Sequence, residues 1–255
     1  MILAIDVGNT NIVLGCIEDG NILNIVRIRT DIQETEAEYA IKLAQLLDFH
    51  KIYPRGFEGA IISSVVPPVT ETLSRAVKIV TGCKPLIVGP GMKTGLNVRV
   101  DDPGTVAGDL IVGSVAAIEY YGTPSIVLDL GTATTMVVVD ENRSFIGGAI
   151  LPGVKLGLAA LSSGTSLLPD ISITAPAKAI SSNTVDCMRS GAVFGTAATI
   201  DGMIERFEAE LGYECKIVAT GGLAPFITPL CKREIVCDDN LLLKGLWVLY
   251  NKNKF

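Results

Sequence analysis

The sequence predicts an α/β fold built twice: two similar lobes, each a mixed five-stranded sheet with covering helices, flanking a cleft. Three observations predict it. The segment Ile2-Leu3-Ala4-Ile5-Asp6-Val7-Gly8-Asn9-Thr10-Asn11-Ile12-Val13 returns 123 positions later as Ser125-Ile126-Val127-Leu128-Asp129-Leu130-Gly131-Thr132-Ala133-Thr134-Thr135-Met136, aligning Asp6 with Asp129 and Gly8 with Gly131. Each copy is an apolar run, a small polar turn, a second run, a polar turn (Glu18-Asp19-Gly20 or Asp140-Glu141-Asn142-Arg143) and a third run, the pattern of strands joined by hairpins. Helical and strand-like segments alternate after each copy, which asks for a sheet covered by helices.

Taken in order, residues 34–49 have helical spacing, 59–64 read as a strand, 67–81 as a helix and 85–88 as a strand. A helix over 106–121 closes the first lobe, and the boundary falls near residue 122, giving lobes of 1–121 and 122–255. In the second lobe a long helix spans 184–211. Its apolar positions Val185, Met188, Ala192, Thr196, Ile200, Met203, Phe207 and Leu211 recur at three- and four-residue steps, with Gly212 behind them. Strands at 216–219 and 234–237 and a helix at 241–250 complete it.

Composition narrows the function. With 49% hydrophobic and 19% charged residues, no segment lacks the means to bury itself. The net charge of −6 and the absence of Lys/Arg clusters larger than Lys232-Arg233 disfavour a nucleic-acid partner. Apolar runs are too short to span a bilayer and the N-terminus lacks a signal-peptide pattern, so a cytoplasmic protein without a membrane partner is expected. Cys16, Cys83, Cys187, Cys215, Cys231 and Cys237 form no Cys-x-x-Cys pair and read as small core residues or incidental thiols. His50 is the only histidine, which excludes a multi-histidine metal site; it follows an apolar helix end and reads as a helix-terminal surface residue.

The turn Gly8-Asn9-Thr10-Asn11 can bring backbone N–H groups and the Thr10 hydroxyl close to an anion. Asp6 beside it makes sense if Mg²⁺ lies between carboxylate and phosphate, held largely through water. The alternative is a hairpin in which Asp6 and Asn9 satisfy turn backbone. The second copy favours the first reading, since equivalent turns would face one cleft. Val218-Ala219-Thr220-Gly221-Gly222-Leu223 runs from a strand into two glycines, a turn that admits a flat ligand or simply leads tightly to a helix. Asp109 is the one charged residue in 106–118; it either caps a helix or faces a functional cavity, where it could accept a hydroxyl proton. The loop Gly89-Pro90-Gly91-Met92-Lys93-Thr94-Gly95 either closes over a substrate carboxylate through Lys93 or crosses between layers.

Together with Gly147-Gly148-Ala149-Ile150-Leu151-Pro152-Gly153 and Ala219-Thr220-Gly221-Gly222-Leu223-Ala224-Pro225, these motifs stand in an order that resembles the type III pantothenate kinases across nearly the whole chain. The resemblance implies actin-like (ribonuclease H-like) lobes of the acetate and sugar kinase, Hsp70 and actin superfamily. It implies a homodimer that phosphorylates the primary hydroxyl of pantothenate to 4′-phosphopantothenate, the first step of coenzyme A synthesis, resistant to feedback by coenzyme A. Residue by residue, Asp6, Val7, Gly8, Asn9, Thr10, Asn11, Ile12 and Val13 match the ATP-phosphate loop, with Mg²⁺ near Asp6, and Thr132 matches a second ATP contact. Asp109 matches the proton acceptor. Ala107, Gly108, Asp109, Leu110 and Thr184 match pantothenate contacts. Asp129 matches a ligand of a monovalent cation, K⁺ or NH₄⁺.

One departure stands out. The family pattern Gly-Ala-Asp-Arg is here Ala107-Gly108-Asp109-Leu110, and leucine can neither pair with substrate nor brace the base as a guanidinium could. Lys93, another basic residue or water takes that place, or turnover or substrate choice is altered. The missing arginine leaves a non-catalytic regulator resembling Bvg accessory factor as one alternative, and a kinase for another hydroxylated acid or sugar as a second. Gly191 and Gly195 on the long helix suit either a dimer contact or packing within the chain.

Overall fold

The computed structural model describes residues 1–254. Its first strands, β1 (Ile2–Val7), β2 (Asn11–Glu18) and β3 (Asn21–Arg29), form an antiparallel meander. Asp19 and Gly20 turn β2 into β3 with φ of 48° and 83°, the two-residue geometry in which Asp-Gly joins strands without splaying them. Thr35 and Glu38 then cap α1 (Glu36–Phe49) reciprocally, each side chain meeting the other's backbone N–H. His50 caps its C-terminal end, edge-on to the exposed Phe49 ring at 5.2 Å. β4 (Gly59–Ser64) lies parallel to β1, followed by α2 (Pro67–Thr81) and β5 (Leu86–Ile87), so the sheet order is β3-β2-β1-β4-β5.

The alternation of side chains across a strand divides this sheet between two cores. Leu3, Ile5 and Val7 of β1, with Ala60 and Ile62 of β4, pack against Tyr39 and Leu43 of α1 and Val69 and Leu73 of α2. Ile2, Ala4 and Ile61 point the other way. After β6 (Asn97–Val98), α3 (Gly108–Tyr120) covers that second face through Val112 and Val115.

The chain divides into two compact units: Met1–Leu96, Asp101–Glu119 and the segment from Asn240 form one, and Asn97–Val100 with Tyr120–Asp239 form the other. The second unit repeats the first. β7 (Ser125–Leu130), β8 (Ala133–Val139) and β9 (Ser144–Pro152) form the meander; α4 (Val154–Gly164) and α5 (Thr184–Leu211) follow, then β10 (Lys216–Thr220), α6 (Ala224–Ile227) and β11 (Val236–Cys237). Its order is β11-β10-β7-β8-β9-β6. The sheet therefore has six strands where five were expected. β6 extends the β9 edge in parallel, donating from Asn97 to the Arg143 carbonyl at 3.1 Å, and Arg99 just beyond it donates to Phe145 at 2.8 Å. Two paired residues carry too little pattern to read as a strand in advance.

α5 has its expected bounds, stopped by Gly212 in the left-handed conformation at φ 81°. Its buried line runs through Met188, Val193, Ala197, Ile200 and Ile204, one residue off the expected stripe in its middle. Buried Asp201 is satisfied there by the backbone N–H groups of Lys232 and Arg233.

The last helix, α7 (Leu241–Asn253), packs in the first unit, where Leu243, Leu246, Leu249 and Tyr250 meet Ile2, Ile61 and Val112. The sequence put 122–255 together because apolar periodicity tells that a helix face is buried, not which sheet buries it. Among the described residues, no helix is long and apolar enough to cross a membrane. Gly245 sets how closely α7 and α3 approach, since a β-carbon there would overlap the Val112 carbonyl and lie 2.8 Å from its Cγ1. Gly245→Ala should destabilise the protein by roughly 1–3 kcal/mol, as overpacking does when the obstacle is backbone. Urea unfolding followed by circular dichroism measures it.

Candidate active site

Gly8, Asn9 and Thr10 connect β1 to β2. Gly8 N–H donates to the Asn11 carbonyl at 3.0 Å. Thr30, one residue beyond β3, donates its N–H to the Thr10 carbonyl at 3.0 Å and its hydroxyl to the Gly8 carbonyl at 2.7 Å. Asn9, Thr10 and Asn11 are exposed, whereas Val7 and Ile12 bury their side chains in the first core, so those two can offer a ligand only backbone.

Asp6 stands beside this turn, opposite Val13 on β2 and Ser63 on β4. Alternation along β1 places it on the face of Ile2 and Ala4, the face that α3 covers. α3 begins there: a β-carbon on Gly108 would lie 3.5 Å from Ser63 Oγ and 3.5 Å from Val88. One end of the first sheet thus gathers Asp6, Ser63 and the first turn of α3 with Asp109.

The half-buried Asp109 carboxylate accepts from the Leu110 N–H at 2.8 Å. Burial pushes its pKa above the usual carboxylate range, and backbone N–H donation from Leu110 and from Asp109 itself opposes this. Asp109 thus lies in the first turn of α3 and is half-buried. Ala107 accepts from the Ile111 N–H at 3.4 Å, and Leu110 accepts from the Ser114 hydroxyl at 2.7 Å. The loop of Lys93 is tied to the end of α7. Lys93 N–H donates to Asn253 Oδ1 at 2.9 Å, Asn253 Nδ2 donates back to the Lys93 carbonyl at 2.9 Å, and Lys252 Nζ reaches the Thr94 carbonyl at 3.1 Å.

In the second unit Asp129 stands opposite Thr135 on β8 and Thr220 on β10. Glycines wall its carboxylate: a β-carbon on Gly131 would come within 3.2 Å of it, and one on Gly221 would overlap it and lie 2.7 Å from Leu130 N. Gly221 itself sits at φ 94°, a conformation that favours glycine. The β7–β8 connection is only Gly131 and Thr132, one residue shorter than its counterpart, so the 123-residue offset that aligns the aspartates does not continue into β8. Thr132 is exposed, and Gly153 packs against its backbone.

Beyond the Gly221-Gly222 turn, Leu223 and Phe226 line a cavity of about 540 Å³ with Leu158, Ile171, Ile173 and Lys155. Thr184 opens α5, exposed, in a groove of about 470 Å³ shared with Gly157, Leu161, Met188 and Gly191. Among the described residues no three His, Cys, Asp or Glu side chains gather as metal ligands. A cation at Asp6 or at Asp129 would complete its shell from backbone, water or phosphate oxygens, which suits Mg²⁺ or K⁺ better than a softer metal.

A sequence model of the type III pantothenate kinases matches residues 2–206. The chain belongs to the type III pantothenate kinase family. A type III pantothenate kinase of Halalkalibacterium halodurans is 44% identical over 253 residues, spanning 99% of this chain and 100% of that protein. Among solved structures, a candidate 2-dehydro-3-deoxygalactonokinase of Sinorhizobium meliloti superposes with a TM-score of 0.62 at 13% identity, covering 100% of this kinase and 97% of that chain. A candidate Baf family transcriptional activator of Campylobacter jejuni gives 0.58 at 19% identity, covering 98% of both chains. A ROK family protein of Streptococcus pneumoniae gives 0.56 at 12%, covering 99% of both. At such identities the solved structures share only the fold of this kinase, the duplicated α/β architecture expected from its repeat.

Two residues of the first site escaped the sequence reading. Ser63 Oγ is fully buried beside Asp6 and makes no hydrogen bond within the described residues. Its signal was a hydroxyl ending the apolar run Gly59-Ala60-Ile61-Ile62, as Thr220 ends its own strand beside Asp129. Thr30 lies 20 residues beyond Thr10 in the chain, and no local pattern points from one to the other.

The raised pKa of Asp109 makes its charge a burden on the fold. A folded-state pKa above the unfolded value means stability is fully present below the unfolded pKa, about 3.9, and is lost as pH rises through the folded value. Asp109→Asn cannot ionise, so relative to wild type it should gain stability between about pH 4 and about pH 8. Denaturant midpoints of both proteins at those two pH values are the test.

Proposed function

We propose that this kinase transfers the γ-phosphoryl group of ATP to the primary hydroxyl of pantothenate, giving 4′-phosphopantothenate, in the cytoplasm and as the first step of coenzyme A synthesis. The observation that carries the reading is the meeting, at one end of the first sheet of a chain in this family, of Asp6 and its turn with the Asp109-bearing start of α3.

Asp109 acts as general base, taking the proton of the attacking hydroxyl. Its raised pKa makes it a better acceptor than an exposed aspartate. Because phosphoryl transfer has a loose transition state, holding the hydroxyl in line counts for more than basicity. Ala107, Gly108, Leu110 and Thr184 contact pantothenate.

The N–H groups that follow Gly8, from Asn9 to Asn11, and the Thr10 hydroxyl hold ATP phosphates. Asp6 would hold Mg²⁺ through water, and that ion would offset the charge of the phosphates. Thr132 contacts ATP, and the Leu158, Ile171, Ile173, Leu223 and Phe226 side of the cavity beyond Gly221 and Gly222 suits a purine ring. Asp129, with neighbouring backbone carbonyls, ligates K⁺ or NH₄⁺. A homodimer forms through the small face of α5, where, apart from the adjoining residues and backbone of α5 itself, nothing described lies within 4 Å of a β-carbon added at Gly191 or Gly195.

Coupled measurement of ADP formation should show turnover that depends on pantothenate, and its absence would reject the reading. Asp109→Asn should lower kcat by about 10²–10⁴. The wild-type kcat/KM should fall on the acid side with an apparent pKa above the ordinary aspartate value, because protonation removes the base. Replacing K⁺ by a bulky organic cation should slow the wild type and leave Asp129→Asn unaffected.

A further inference from the structure

The two turns that carry Asp6 and Asp129 are held in different ways, and the difference falls on one side chain. Asn11 pairs with Arg29 in the first unit, and Ala133 with Pro152 in the second, so Thr30 and Gly153 follow equivalent positions of β3 and β9. At Gly153 there is room for no side chain: a β-carbon would overlap the Thr132 carbonyl and come within 2.7 Å of the Gly131 carbonyl. The second turn lies directly on backbone. At Thr30 the space holds a hydroxyl, and both carbonyls it pins belong to the turn.

Pinning those carbonyls decides where the amides point. A trans peptide is planar, with its C=O and the next N–H on opposite sides. With the Gly8 carbonyl drawn to the Thr30 hydroxyl and the Thr10 carbonyl to the Thr30 N–H, the N–H groups of Asn9 and Asn11 turn away from β3. A turn free to rotate its Gly8 peptide, as glycine readily allows, would present the carbonyl oxygen in their place and repel an anion.

We infer that Thr30 is a positioning residue for the nucleotide phosphates: its hydroxyl locks the Gly8 peptide so that the turn after β1 presents N–H groups to anionic oxygens. The inference rests on the reading of this turn as the ATP-phosphate site, and concerns its pre-organisation. Thr30 touches no nucleotide; it acts through Gly8. Its loss therefore weakens ATP selectively.

The experiment compares Thr30→Val, which keeps shape and removes the hydroxyl, with Thr30→Ser, which restores it, and with Asp6→Asn. KM and kcat are measured for ATP and for pantothenate, with melting temperatures alongside. Thr30→Val should raise KM for ATP roughly three- to tenfold, the worth of one hydrogen bond, with KM for pantothenate at saturating ATP unchanged. Thr30→Ser should recover most of the loss. Were Asp6→Asn to raise KM for ATP while Thr30→Val left it unchanged, the inference would fall and the reading of the site would stand. If neither substitution affected ATP, the reading would fall and the inference with it. Equal losses toward both substrates, tracking a lower melting temperature and not restored by serine, would mark Thr30 as merely structural and overturn the proposal.

Discussion

β1 is held on every side. Its edges are bonded to β2 and β4, one face is sealed by α1 and α2, and the other by α3 and α7. Ile2, Leu3, Ala4, Ile5 and Val7 are all at most 1% exposed, so a slip of one residue would exchange two complete cores. That constraint fixes Asp6. Its carboxylate emerges where the apolar run ends, beside Ser63, and the register of β4 and the entry of α3 follow from the same packing. β7 repeats the arrangement for Asp129 through β8 and β10.

Duplication preserved the strand register and let the turns diverge. Both aspartates keep a hydroxyl neighbour on the adjacent parallel strand, Ser63 for one and Thr220 for the other. Around Asp129, however, glycines at 131, 153 and 221 let backbone close in, whereas the Asp6 turn is one residue longer and is stitched by a side chain. The longer turn exposes Asn9, Thr10 and Asn11.

Much of the fold was legible because it is local. The Asp-Gly hairpin and the Gly212 stop each act within four residues, and the bounds of β4, α2 and α5 fell where the sequence put them. What escaped depends on tertiary choices. α4 escaped although its apolar face is regular, with Gly157, Ser162, Ser163 and Gly164 interrupting good helix formers, and β6 is too short to have a pattern. The destination of α7 is written in the shape around Gly245, not in its periodicity. At the site, Asp6, Asp109 and Asp129 were visible as charges in apolar surroundings. Ser63 and Thr30 were not, since a hydroxyl at a strand end is ordinary until its neighbours are known.

The route of the chain through its two units bears on how the protein is made. The ribosome releases the whole second unit before α7, yet the first unit needs Leu243, Leu246 and Leu249 to cover Ile2, Ile61 and Val112. During synthesis the unit that starts first is thus the one completed last, and its apolar sheet face waits, incompletely covered, while more than a hundred residues emerge. The unit from Tyr120 to Asp239 can close meanwhile. Domains usually mature from the N-terminus onward; here the covering of the first sheet waits for the last helix, and apolar surface left open in that way is what invites aggregation.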